Sequence, residues 1–123
     1  MIDTTILIDY FRKVDKSKSI LVKHSKSYQK IYISTITEFE VINGATPAQI
    51  SFWNQMLQGF IILDFDSKAA RQAASIIKKL RLKRKNMDKP DLFIAAIALS
   101  NGLMLDTANK KHFENIDSLK LLQ

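Results

Sequence analysis

The chain has 123 residues, of which 46% are hydrophobic, and a formal net charge of +7 at pH 7. A chain of this length buries enough surface for one core, so we expect residues 1–123 to form a single domain, and its charge favours a polyanionic partner. It has no cysteine, which excludes disulfides and thiolate metal sites, and no apolar run approaches the roughly 18 residues that a membrane span requires, so we expect a cytoplasmic protein without a membrane partner.

Apolar periodicity and turn residues predict strands that alternate with helices along the chain. The predicted strands are short apolar runs, at residues 1–2, 31–34, 60–63, 103–106 and 119–122. The predicted helices have apolar side chains on one face, at residues 6–11, 20–30, 35–43, 47–57, 67–83 and 88–100. This alternation predicts an α/β fold with three α/β/α layers and a mainly parallel central sheet of four to five strands.

Polar residues predict where several of these helices begin. Thr35 and Glu38 fit a capping box, in which each side chain bonds a backbone N–H at the helix start. Ser67 is placed to cap the long helix, and Asp88 is placed to cap the apolar helix whose first turn holds Pro90. Glu38 and Asp88 therefore have structural roles available to them.

Other acidic residues are the candidates for chemistry. Asp3 follows the first strand, where Thr4 or Thr5 can cap the next helix; the alternative role of Asp3 is that of a solvated turn residue or a helix cap. Glu40 has no capping role and lies roughly 200° around its helix from the glutamate of the capping box, but it can also be an ordinary exposed residue. Asp91 begins an almost wholly apolar helix, whose start we expect near the sheet rather than in solvent.

Further polar residues follow the fourth strand. Asp106 ends that strand, and Asn109 either caps a short turn or joins the acids. His24 and His112 lie in basic, polar contexts, which predicts surface residues rather than ligands. No glycine-rich phosphate loop and no motif for a serine nucleophile is present. Carboxylates on separate elements are hard oxygen ligands that suit Mg²⁺ or Mn²⁺.

Four motifs occur in order along the chain. They are Ile2-Asp3-Thr4-Thr5 before an apolar helix, Ile33-Ser34-Thr35-Ile36-Thr37-Glu38-Phe39-Glu40 followed by Gly44, Asp91-Leu92-Phe93-Ile94-Ala95-Ala96-Ile97-Ala98-Leu99, and Thr107-Ala108-Asn109 before His112-Phe113. Together, at this spacing, they resemble the PIN-domain nucleases, and among them the VapC-type toxins of bacterial toxin–antitoxin pairs. The resemblance covers nearly the whole chain.

The resemblance implies a metal-dependent endoribonuclease in which Asp3, Glu40 and Asp91 hold Mg²⁺ or Mn²⁺. Asn109 takes the fourth position of the site, with Asp106 as the alternative. A homodimer and a small antitoxin are further implied partners, and RNA is the implied substrate. Lysine-rich segments at 13–30 and 78–89 fit the guidance of an RNA backbone or, alternatively, a solvated surface. The competing function is a PIN-like module that binds RNA or protein with little or no cleavage.

Overall fold

The computed structural model describes residues 1–123, in which short extended segments lead into helices. The α-helices are α1 Thr4–Arg12, α2 Ile20–Ser27, α3 Thr35–Gly44, α4 Pro47–Leu57, α5 Ser67–Leu82 and α6 Lys89–Ser100. The strands are β1 Tyr32–Ser34 and β2 Ile61–Leu63, and short 3₁₀ helices span Lys16–Lys18 and Lys110–His112. All six predicted helices are present, although α2 ends three residues before the predicted Lys30.

The sheet is smaller than the predicted four to five strands. β1 and β2 pair in parallel over three residues each. Two isolated parallel bridges lie outside them and join Ile2 with Asp106 and Leu105 with Leu121. The segments around these bridges leave the extended conformation too soon for a continuous ladder; α1, for example, begins at Thr4, two residues after the bridge at Ile2. The α/β class with parallel pairing is confirmed, and the larger sheet is not.

Two hydrophobic clusters form the core. One joins α5 and α6 to the segment after α6, and the other joins β1 to the first four helices. Trp53 belongs to the second cluster and is 2% exposed, with the ring of Phe11 at 5.4 Å from its own. Core packing is therefore the role of this tryptophan. None of the helices is long and apolar enough to cross a bilayer.

Helix α6 is buried on most sides, as its sequence predicts. Its buried residues are Leu92, Ile94, Ala95, Ala96, Ile97 and Ala98. The helix ends where Gly102 adopts a φ of +64°, a left-handed conformation that favours glycine. The backbone N–H of Leu103 then donates to the carbonyl of Ala98 at 2.9 Å. Burial of this helix fixes the position of its first turn against the rest of the fold.

Three predicted helix caps are wrong by one or two residues. In each case the cap is a residue with extended backbone whose side chain accepts a hydrogen bond from a backbone N–H of the first turn. Helical geometry therefore begins directly after it. The observed caps are Asp3 in place of Thr4 or Thr5, Ser34 in place of Thr35, and Asp66 in place of Ser67. Asp88 occupies the cap position predicted for it, without a side-chain cap bond.

His24 is not the surface residue that the sequence predicts. Its Nε2 bonds Oδ2 of Asp106, and the two side chains are 15% and 11% exposed. The neighbouring lysines in the sequence predicted a solvent-exposed position. His24, however, lies three residues after the buried Leu21 and so shares the inward face of α2. The pair ties α2 to the segment that follows α6.

We expect His24→Ala to lower the free energy of unfolding by about 1–3 kcal/mol, because it leaves the buried Asp106 carboxylate without its partner. Urea unfolding followed by circular dichroism measures the change. His112→Ala is the matched control: that side chain is 53% exposed, and its removal should change stability by less than about 0.5 kcal/mol. Equal losses in the two variants would contradict a structural role for the His24 pair.

Candidate active site

Acidic residues from three separate helices line one cleft of about 410 Å³. Asp3 caps α1, Glu40 lies on α3, and Asp91 lies in the first turn of α6. Asn109 also lines this cleft, whereas Asp106 does not. The structure thus brings together the four residues predicted for the site and separates the alternative fourth residue from them.

Asp3 is the most deeply buried of these acids, with 2% of its surface exposed. Burial raises the pKa of its carboxyl group above the ordinary value. Hydrogen bonds from Thr107 and Thr5 oppose the shift, and the negative charge of Asp91 adds to it. A buried carboxylate beside a second one is costly to ionise, so a bound cation at this place would be favourable.

Thr5 holds Asp3 in place and joins it to the opposite wall of the cleft. Its backbone N–H donates to Oδ1 of Asp3 at 3.0 Å, and its hydroxyl donates to the same oxygen. The Thr5 hydroxyl oxygen also accepts from the backbone N–H of Ala108 at 2.9 Å. One threonine therefore fixes both the buried acid and the backbone next to Asn109.

Glu40 is oriented by a threonine of α1. The hydroxyl of Thr4 donates to Oε1 of Glu40 at 2.6 Å and lies 3.1 Å from the hydroxyl of Thr37. The sequence favoured Glu40 over Glu38 because a capping box would occupy Glu38. That reason is wrong, since the capping box is absent. Glu40 lines the cleft because it lies one helical turn after the buried Thr37.

Asp91 contacts a histidine from the last part of the chain. Oδ2 of Asp91 lies 3.0 Å from Nδ1 of His112, whose side chain is largely in solvent. Asp88, three residues earlier, does not line the cleft. Of the two aspartates at the start of α6, Asp91 therefore lines the cleft with the other acids, and Asp88 lies at the helix cap.

Helix α1 also forms part of the cleft wall, which the sequence motifs did not predict. Four residues of this helix line the cleft, namely Thr5, Ile8, Asp9 and Arg12. Their spacing of three, four and seven residues from Thr5 is that of a single helix face, so helical periodicity was the signal that could have identified them. Arg12 adds a guanidinium group to a cleft whose other charged side chains are mainly carboxylates.

The oxygen donors of the cleft fit a hard divalent cation, held in part by water. No three acidic or histidine side chains are grouped closely enough to hold one ion together. Mg²⁺, however, keeps several waters and is often bound through one or two carboxylates plus substrate phosphates. The carboxylate pair formed by Asp3 and Asp91, whose charges interact, meets that requirement.

A parallel α/β fold with acids from three helices gathered in one cleft is the arrangement of a PIN domain, and the model of the PIN domain family matches residues 1–119. The chain belongs to that family. It is 31% identical to the tRNA(fMet)-specific endonuclease VapC of Shigella flexneri over 125 residues, with 98% of this chain and 93% of that protein covered. It is 30% identical to Ribonuclease VapC2 of Haemophilus influenzae, again with 98% and 93% covered.

A solved relative supports the same relationship. The crystal structure of DNA-bound VapBC from Salmonella typhimurium contains a chain that matches with a TM-score of 0.89 and 27% identity, covering 99% of this chain and 95% of that one. The recognition of a VapC-type PIN domain from four short sequence motifs is thereby confirmed.

Proposed function

We propose that the protein is a metal-dependent endoribonuclease that hydrolyses RNA phosphodiester bonds and serves as the toxin of a toxin–antitoxin pair. The observation that carries this proposal is the convergence of Asp3, Glu40 and Asp91 in one cleft. Relatives that are ribonucleases, at about one third identity over almost the whole chain, support the same activity.

In the proposed site, Asp3, Glu40 and Asp91 hold Mg²⁺ or Mn²⁺, directly or through water. When bound, such an ion lowers the pKa of a coordinated water and offsets charge on the scissile phosphate. The hydroxyl groups of Thr4 and Thr5 restrict the rotamers of the first two acids before any ligand arrives, which favours a preorganised site. Asn109 supplies an uncharged amide that can orient water or a phosphate oxygen.

We propose further that the protein forms a homodimer and binds a small antitoxin. The solved Salmonella relative is a VapBC complex, and an antitoxin with a basic side chain would find the same negative charge that attracts a cation. Phe39, beside Glu40 on α3, is 64% exposed and offers such a partner an apolar contact near the cleft.

The alternative function is a PIN-like module that binds RNA or protein with little or no cleavage. Two observations favour it. Asn109 brings no charge to the fourth position, and no three side chains are grouped to hold an ion together. The experiment that follows separates the two functions.

We expect the purified protein to cleave a panel of structured RNAs in Mg²⁺ or Mn²⁺ and to leave them intact in excess chelator. Glu40→Gln should lower the rate by about 10²-fold or more, since it removes a charge that acts on the reacting phosphate through the ion. Glu38→Gln, on the same helix and outside the cleft, should keep the wild-type rate. Cleavage in chelator would refute metal dependence, and binding without cleavage would establish the alternative.

A further inference from the structure

A basic groove adjoins the candidate active site. It lies between α2 and residues 107–112 and has a volume of about 870 Å³. Lys23 stands on the α2 wall, and Lys110 and Lys111 stand on the opposite wall; all three are exposed. The groove is roughly twice as large as the acidic cleft next to it.

The groove and the cleft are direct neighbours. They share Ala108, Asn109 and His112 as lining residues. An RNA strand with one phosphate at the acids would therefore have the groove directly beside it. Since His112 also contacts Asp91, the junction between the two lies directly beside the proposed metal site.

The lining of the groove has a net positive charge. None of its three lysines takes part in an ion pair. Asp106 is the one acidic side chain in the lining, and its carboxyl group is bonded to His24. The groove therefore presents ammonium groups that no carboxylate neutralises, whereas the cleft presents mainly carboxylates.

Hydrogen bonds of His24 and Thr107 fix the walls of the groove. The His24 pair holds α2 against the base of the groove. Thr107, 2% exposed, accepts a hydrogen bond from the backbone N–H of Asn109 at 3.0 Å and so holds the opposite wall. A groove of fixed width loses little conformational entropy when it binds an extended chain.

The other basic surface lacks these features. Lys79 and Lys83 of the predicted 78–89 segment line a cavity that shares no residue with the cleft. Lys83 is moreover bound to Asp117 at 2.6 Å. Of the two basic surfaces, only the groove both adjoins the acidic cleft and has lysines that are all outside ion pairs.

We propose that this groove binds the single-stranded RNA segment that flanks the scissile bond, with Lys23, Lys110 and Lys111 contacting its phosphates. The inference rests on the proposed function, because it takes the acidic cleft as the place of cleavage. The groove lysines attract and position the strand, and the acids act on the phosphate that reaches the junction at Asn109.

The test compares two charge-matched double variants in an Asp91→Asn background, which keeps the RNA intact. One is Lys110→Gln/Lys111→Gln in the groove, and the other is Lys78→Gln/Lys79→Gln on α5. The probes are a fluorescent single-stranded RNA of about 12 nucleotides, a length within the range that such grooves accommodate, and a trinucleotide. Binding is measured by fluorescence anisotropy as a function of salt concentration.

The groove variant should bind the longer RNA roughly tenfold more weakly, and its salt slope should fall by about 1.4, since each lost contact to a single strand contributes about 0.7. The α5 variant should match its parent, and neither variant should change binding of the trinucleotide, which does not extend beyond the junction. Equal weakening by both variants would mean diffuse attraction and would overturn the inference.

The same experiment separates failure of the inference from failure of the proposed function. If the wild-type protein cleaves RNA and the groove variant binds the longer RNA as tightly as the α5 variant does, the groove is not the path of the strand while the nuclease assignment stands. If no form of the protein binds RNA, both are overturned.

Discussion

Replacing Asp91 with asparagine is expected to lower the rate of RNA cleavage in Mg²⁺ by about 10²–10³-fold. The substitution keeps the size of the side chain and removes the negative charge that would help to hold the cation opposite Asp3. Its effect on stability should be small, less than roughly 0.5 kcal/mol, because the side chain is partly exposed and its one side-chain partner, His112, lies largely in solvent. Single-turnover cleavage and thermal unfolding measure the two effects.

Asp88→Asn is the matched control for this substitution. Asp88 lies three residues earlier, at the cap of the same helix, makes no side-chain cap bond and does not line the cleft. Asparagine is as good a cap as aspartate, so both the rate and the stability should stay near those of the wild type. A loss of activity in the Asp88 variant equal to that in the Asp91 variant would show that the assignment of roles at the start of α6 is wrong.

The helices of this fold could be predicted from the sequence because each spans enough residues for its sequence signals to be recognised. α6 combines a proline in its first turn, a continuous apolar run and a glycine after its end, and all three signals agree. The sheet could not be predicted as well. Strands of three residues carry almost no periodicity, and whether a neighbouring segment adds a ladder or a single bridge depends on backbone contacts between distant parts of the chain.

The site, too, could be predicted where the signal lies in neighbouring residues, and could not where it depends on contacts between distant residues. Asp3, Glu40, Asp91 and Asn109 stand in motifs that can be recognised in sequence, and all four line the cleft. The side chains that hold them could not be found in this way. Thr4 and Glu40 are 36 positions apart and His112 and Asp91 are 21 apart, so neither pairing leaves a trace in local spacing.

Holding acidic side chains together in the folded protein lowers its free energy of unfolding, and the buried Asp3 accounts for the largest part of this loss. We expect Asp3→Asn to raise the free energy of unfolding of the metal-free protein at pH 7 by about 0.5–2 kcal/mol, the range typical of a single stabilising substitution, while abolishing cleavage. Asparagine carries no charge into the buried position, and its amide oxygen can still accept the backbone N–H of Thr5 that caps α1.

The dependence on pH follows from the raised pKa of the Asp3 carboxyl group. The folded protein holds this proton more tightly than the unfolded chain does, so the contribution of Asp3 to stability is greatest at low pH and falls as pH rises from the ordinary carboxyl pKa through the raised one. The gap between variant and wild type should therefore widen over this interval and stay constant above the raised pKa. Below the ordinary pKa the wild-type side chain is neutral too, and the gap should close.

Unfolding midpoints measured across this pH range, with and without Mg²⁺, test the argument. Mg²⁺ should raise the midpoint of the wild type, because a ligand that binds only the folded state stabilises it, and should leave that of the Asp3 variant nearly unchanged. Asp64→Asn, an exposed aspartate outside the cleft, should respond to Mg²⁺ as the wild type does. A less stable Asp3 variant, with a deficit that does not vary with pH, would mean that hydrogen bonds from Thr5 and Thr107 already satisfy this carboxylate and that no cation is needed to do so.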